Sequence, residues 1–117
     1  MNRNAIEIFN EALRAVDPYA AVGKHVDRIR AICRDAGLRK IYVVSFGKAA
    51  CPMARALADA LPERIVRGVV VTKYGHISRE PLPGTFEIHE AGHPVPDEQG
   101  VAGTGRVIDL LEEADRE

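Results

Sequence analysis

Apolar positions recur along this chain first at helical spacing, then in short unbroken runs, then in alternation. Ile6, Phe9, Leu13 and Val16 share a helical stripe, and Asn4 with Glu7 has the spacing of a capping box, which together predict an opening helix. Asp17-Pro18 pairs an N-cap residue with proline at the first helical position and predicts a short second helix through about His25. Val26, Ile29, Cys33 and Ala36 again fall on one helical face that ends near Gly37, although residues 26–32 could instead pair as an edge strand. These opening helices read as structural.

From Lys40 the period changes. Residues 41–46 (IYVVSF) and 68–72 (GVVVT) are nearly continuous apolar runs rich in β-branched residues, as suits strands buried in a parallel sheet covered by helices. Between them Met53, Leu57, Ala60 and Leu61 lie on a helical stripe, and Pro52 is tolerable only in a first turn, so this helix should start near Ala49. The result is a β-α-β unit. Residues 85–91 alternate, with Phe86 and Ile88 on one side and Glu87 and His89 on the other, as for a strand with one wetter face. Asp97 or Glu98 then opens a last helix carrying Val101, Ile108 and Leu111. Residues 74–84, with Pro81, Pro83 and Gly84, show no helical period. A parallel third strand usually needs a crossover helix, so this strand is expected either to run antiparallel or to be reached by a coil crossover. The charged stretch 114–117 stands where a further strand would be expected, so the fold class is α/β, an incomplete three-layer sheet.

Composition narrows the function more than the fold. The 117 residues fit one domain, and 46% hydrophobic content marks a globular chain able to bury a core. Sixteen Lys and Arg against seventeen Asp and Glu give a net charge of -1, with no electrostatic footprint for nucleic acid or an anionic membrane. No apolar run reaches transmembrane length and no signal-peptide core opens the chain. Cys33 and Cys51 form no CxxC pair, so a disulfide framework or zinc ribbon is not expected, and a reducing cytoplasm is the default compartment.

Candidate chemistry follows the strands. Phe46-Gly47-Lys48-Ala49-Ala50 leaves one strand and opens a helix. Gly47 permits close approach to the backbone, first-turn amides favour an anion, and Lys48 adds a cation at the strand's carboxyl end. The bland alternative is a tight turn at Gly47 beside a solvated lysine. The segment is neither a P-loop, since Gly47-Lys48-Ala49 lacks the upstream glycine and the hydroxyl residue, nor a dinucleotide fingerprint, since it holds one glycine. Gly100, Gly103 and Gly105 fall inside the last helical pattern and read as close-packing positions. If the three strands are parallel, Lys48, Lys73 and His93 converge on one edge as a cradle for an anion. His76 and His93 have no third ligand at a recognisable metal spacing, so no metal site is expected. Asp97 reads as an N-cap, His25 and His89 as ordinary surface groups, and Cys51, near a helix start, as inert packing rather than a nucleophile.

Three motifs in register resemble the glycerate 2-kinase family, often called hydroxypyruvate reductase: Gly47-Lys48-Ala49-Ala50 with Met53-Ala54, then residues 68–76 (GVVVTKYGH), then residues 90–98 (EAGHPVPDE). Ala15-Val16-Asp17-Pro18 also resembles that family's N-terminal segment. The resemblance implies the N-terminal part of a Rossmann-like three-layer sandwich with a mostly parallel sheet, incomplete at its C-terminal end, in a two-domain kinase whose second domain and glycine- and serine-rich loop are absent here. It implies ATP-dependent phosphorylation of D-glycerate at the 2-hydroxyl with Mg²⁺, with Lys48 as the active-site lysine and residues 93–97 lining the site. Gly47, Ala49, Lys73, His93 and Asp97 are thus the expected substrate- or phosphate-binding residues. A NAD(P)-dependent hydroxypyruvate reductase and a non-enzymatic anion-binding or interaction module are the alternatives, and an unpaired sheet edge would favour self-association.

Overall fold

Strands β1 (Ile41–Phe46), β2 (Ile65–Lys73) and β3 (Phe86–Ala91) lie side by side in that order, all parallel, in a computed structural model that describes residues 2–116. The register pairs Val43 with Gly68 and Val70 with Ile88. Among the described residues five helices accompany them: α1 (Arg3–Ala15), α2 (Pro18–Gly23), α3 (Val26–Asp35), α4 (Ala50–Ala60) and α5 (Glu98–Asp115). The α/β architecture and the β-α-β unit are therefore as expected, and residues 26–35 are helical, not an edge strand.

Side-chain alternation along the strands assigns each helix to a face. Val43 and Ile65 pack with Val26 of α3 and Leu61 at the end of α4, while Val70 packs with Ala50, Cys51 and Ala54 of α4. The small residues let α4 approach the sheet closely. Met53, placed on the packing stripe by its spacing, is instead exposed, because the stripe that meets the sheet runs through Ala50, Cys51, Ala54, Leu57 and Leu61. α2 packs on α4, with the Tyr19 hydroxyl donating to Asp59 at 3.0 Å.

The third strand is parallel and is reached by coil. Residues 74–85 cross the α4 face without a helix, held where Arg55 donates to the Pro81 carbonyl and where Leu82 enters the cluster of Ala50, Cys51, Ala54 and Val70. A long coil can cross here because its apolar and carbonyl groups find partners on α4.

The opposite face is covered by α5, which corrects the expectation of a wetter side for β3. Gly103 sits on Val71 and His89, where an added Cβ would stand 3.1 Å from the valine and 3.3 Å from the histidine. Of the three helical glycines read as packing positions, Gly103 is the tight one; Gly105 faces open space. His89 is consequently half-buried and not a surface group, and its Nε2 lies 2.7 Å from Glu87. The stripe of Val101, Ile108 and Leu111 on α5 is exposed, and the helix turns Gly103, Arg106, Leu110 and Glu113 inward.

The start of the chain differs from its reading in one detail. The N-cap is Asn2, whose side chain accepts from the Asn4 amide at 3.0 Å, so Asn4 and Glu7 form no capping box. α1 has no buried residue, and Ile6, Phe9 and Leu13 are exposed.

Candidate functional site

All three strands end at one edge of the sheet, and each end is pinned by backbone bonds. After β1, Gly47 takes φ 101°, a left-handed conformation that suits glycine. Its amide donates to the Val71 carbonyl at 3.0 Å, and its carbonyl accepts from the Thr72 hydroxyl at 3.0 Å and the Ala50 amide at 3.2 Å. Ser45 adds a second tie, its buried hydroxyl donating to the Ala50 carbonyl at 2.9 Å. The turn carrying Lys48 is thus stapled to the neighbouring strand. α4 starts behind it with Ala49 as N-cap and no side chain capping the amides of its first turn. A helix start of this kind presents partial positive charge toward the strand end.

β2 ends at Lys73. The following turn is closed by the His76 amide donating to the Lys73 carbonyl at 3.0 Å and by Gly75, at φ 75°, donating to Glu90 at 2.7 Å. β3 ends at Ala91 and runs into Gly92-His93, whose peptide with Pro94 is cis. Asp97 organises this last loop. Its carboxylate accepts from the Gly100 amide at 2.9 Å and from the Tyr74 hydroxyl at 2.7 Å, joining the loop after β3 to the loop after β2. Bonds from the Gly92 amide, then the Tyr74 hydroxyl and the Gly100 amide, hold its carboxyl below the usual aspartate range. The same bond to Asp97 raises the Tyr74 phenol.

Between these ends lies a pocket of about 260 Å³. β1 and its turn contribute Phe46, Gly47 and Lys48; β2 contributes Val71, Thr72 and Lys73; β3 and its loop contribute Ala91, Gly92 and His93. Four of the six residues expected from sequence, Gly47, Lys48, Lys73 and His93, are therefore brought together. Ala49 and Asp97 are not in the lining. Ala49 caps α4, and Asp97 caps α5 and ties the loops from behind. Of the lining residues that the sequence left unassigned, Thr72 is the one with a polar side chain. Its signal was a hydroxyl ending an apolar run, and 2% exposure together with its bond to the Gly47 carbonyl makes it the staple of the Lys48 turn.

The lining offers three cationic or protonatable side chains and no carboxylate, so its chemistry is that of an anion receptor. Both cysteines are free and buried away from it. No group of three His, Cys, Asp or Glu among the described residues is arranged to hold a metal ion. Among the described residues no helix is long and apolar enough to cross a membrane.

Comparison with known proteins places the chain in a family. Residues 4–117 match the family described as "Domain of unknown function (DUF4147)". D-glycerate 2-kinase from Thermotoga maritima is 42% identical over 113 residues, which make up 97% of this chain and 25% of that protein. Glycerate 2-kinase from Pyrococcus horikoshii is 38% identical over 114 residues, 93% of this chain and 25% of that protein. A crystal structure of glycerate kinase from Thermotoga maritima matches with a TM-score of 0.72 at 43% identity, covering 91% of this chain and 23% of that one. This chain spans about a quarter of the length of the relatives it matches.

Proposed function

The chain belongs to the DUF4147 family, and on that premise we propose that it is the N-terminal part of an ATP-dependent glycerate 2-kinase, which phosphorylates D-glycerate at the 2-hydroxyl. The observation that carries this reading is the convergence of Lys48, Lys73 and His93 on a pocket at the carboxyl end of a parallel sheet, where open α/β sheets bind ligands. Phosphoryl transfer asks a protein chiefly for positioning and for positive charge around the phosphates. Lys48, on a turn fixed by Thr72, offers its ammonium to the transferring phosphoryl group or to the glycerate carboxylate. Lys73 and His93 complete the cationic wall. The backbone at Gly47 and Ala49 presents the α4 start, and Asp97 holds the His93 loop in place.

ATP fits the pocket's sign of charge. Mg²⁺ finds no carboxylate in the lining, so no step is assigned to it here. The 117-residue chain supplies too few groups to surround a nucleotide and on its own transfers no phosphoryl group. Its two free cysteines suit a reducing cytoplasm.

The reductase alternative is disfavoured by the β1 turn, which holds a single glycine where a dinucleotide fingerprint needs three. A coupled assay on the longer polypeptide tests the reading. ADP formation that depends on D-glycerate is expected; NAD(P)H oxidation with hydroxypyruvate would replace the kinase by the reductase. Phosphate binding with neither turnover would leave the anion-binding module. Glycerate-dependent ADP release by the purified 117-residue chain would remove the claim that this part is inactive alone.

A further inference from the structure

Tyr19 and Tyr74 each donate a phenolic hydroxyl to an aspartate, and the two bonds join different things. The bond from Tyr19 to Asp59, at 3.0 Å, links α2 to α4. The bond from Tyr74 to Asp97, at 2.7 Å, links the loops that follow β2 and β3. Tyr19 is 42% exposed and Tyr74 48%, so neither bond is a by-product of filling the core.

The second bond stands beside the pocket. Tyr74 directly follows Lys73, and the Gly92 amide, directly before His93, donates to the same Asp97 carboxylate. One carboxylate therefore holds the chain neighbour of each cation. Its two oxygens divide the work: one accepts from Tyr74, and the other accepts from the Gly100 amide in the first turn of α5. The loop closes tightly around it, since a Cβ on Gly92 would stand 2.5 Å from the Val95 carbonyl oxygen and 3.1 Å from the Asp97 carboxylate. The Gly75 amide, donating to Glu90 at 2.7 Å, adds a neighbouring tie between the same two strands. Neither Tyr74 nor Asp97 lines the pocket, whereas Lys73 and His93 do. Lys48 stands outside this arrangement, because its turn is fastened to Val71 and Thr72.

We infer that Tyr74 is a positioning residue of the anion site, its hydroxyl acting through Asp97 to hold His93 at a set separation from Lys73. A fixed gap lets both side chains meet one anionic group without ordering two loops at the moment of binding. The role rests on the reading of the pocket as the anion site of a glycerate 2-kinase. It divides that site into two parts with separate ties, one setting Lys48 and the other setting Lys73 against His93.

Inorganic phosphate is the probe, followed through the amide resonances of Lys48, Lys73 and His93 in the 117-residue chain. Tyr74→Phe keeps the ring and the net charge and removes only the hydroxyl; it should weaken phosphate binding about fivefold to tenfold. Tyr19→Phe removes a bond of the same kind and should leave phosphate affinity within about twofold, with a similar change in unfolding midpoint. Asp97→Ser retains an N-cap for α5 but is too short to reach Tyr74, so in that background Tyr74→Phe should have no further effect on phosphate affinity. Unchanged phosphate affinity in Tyr74→Phe would overturn the inference and leave the pocket an anion site. An equal loss in Tyr19→Phe, or a Tyr74→Phe effect that persists beside Asp97→Ser, would also overturn it. If phosphate shifted none of the three resonances in the unsubstituted chain, the anion-site reading would fall and the inference with it. Glycerate-dependent ADP formation by the longer polypeptide reads the same division. There Tyr74→Phe should raise a KM, for ATP or D-glycerate, about fivefold and hold kcat within about twofold, because Lys48 keeps its own tie. A fall in kcat with both KM values unchanged would show that the hydroxyl serves the Lys48 turn, against the inference.

Discussion

Charged side chains gather at two places on this sheet, and the fold treats them in opposite ways. Under α5, Glu87 accepts both Nε and Nη2 of Arg106 at 2.9 and 3.0 Å, meets His89 at 2.7 Å and lies 3.9 Å from Arg67, which in turn pairs with Glu113. Every charge there has an opposite, and each pair is part-exposed, so its net contribution is modest. At the carboxyl edge, Lys48, Lys73 and His93 surround a pocket, and among the described residues they have no ion-pair partner. Positive charge collected without a counter-charge works against compaction and in favour of an arriving anion. One region closes on itself, and the other is open to a ligand. A substitution should therefore move stability in the first and turnover in the second.

The largest separation is expected at Lys48. In the longer polypeptide, if it is the proposed kinase, Lys48→Ala should lower turnover on the order of a hundredfold, about 3 kcal/mol by comparison with loss of one preorganised donor. The unfolding midpoint should hold or rise slightly, because a cation beside a helix start is mildly unfavourable. Lys48→Arg should restore little, since the planar guanidinium is longer and differently directed. Measuring kcat and thermal midpoint on the same variants decides the matter, and undiminished turnover would take Lys48 out of the site.

Gly103 is the matching probe of the closed region. Its neighbours already stand at 3.1 and 3.3 Å from a notional Cβ, so Gly103→Val should lift α5 off Val71 and His89 and cost about 1–3 kcal/mol. Phosphate-induced shifts of the Lys48 and Lys73 amide resonances should persist, because the turn at Gly47 is tied to β2 and not to α5. A denaturation midpoint equal to wild type would mean that α5 is not seated by this contact.

The same contrast accounts for what could be read from the chain. The pocket was legible because open parallel sheets place ligands at strand ends: Lys73 ends a strand, and Lys48 and His93 each stand two residues past one. The network under α5 was not legible. Glu87 and His89 alternate like a solvated strand face, and Arg106 and Glu113 look like a solvated helix face; only their pairing across 19 and 46 residues shows both to be inward. Local periodicity reports apolar burial and has no signal for charge paired with charge across elements. The direction of β3 was ambiguous for a related reason, since a crossover without a helix leaves no period to detect. Asp97 was recognised as a cap, but the tie from Tyr74 that lets it brace two loops depends on the fold.

The smallest effect, and the one that most sharpens the contrast, is expected at Glu87. Bonding to Arg106 first, and then to His89, holds its carboxyl at about 2, below its ordinary 4.5. A carboxyl depressed in the folded state stabilises the protein above the unfolded value and loses that contribution as pH falls through the folded one. Glu87 should therefore contribute fully above about pH 4.5 and progressively less down to about pH 2. Because its side chain is 35% exposed, solvent screening keeps the contribution to about 1 kcal/mol or less. Glu87→Gln keeps the shape and one acceptor, so the variant should be less stable than wild type by that amount at neutral pH and should converge with it near pH 2. Added salt should shrink the neutral-pH gap, as it does for part-exposed pairs. Chemical denaturation across this pH range reads both stabilities. A gap between the two proteins that stays constant with pH would show that the side chain acts through packing, and the division between a paired and an open cluster would then lose its electrostatic basis.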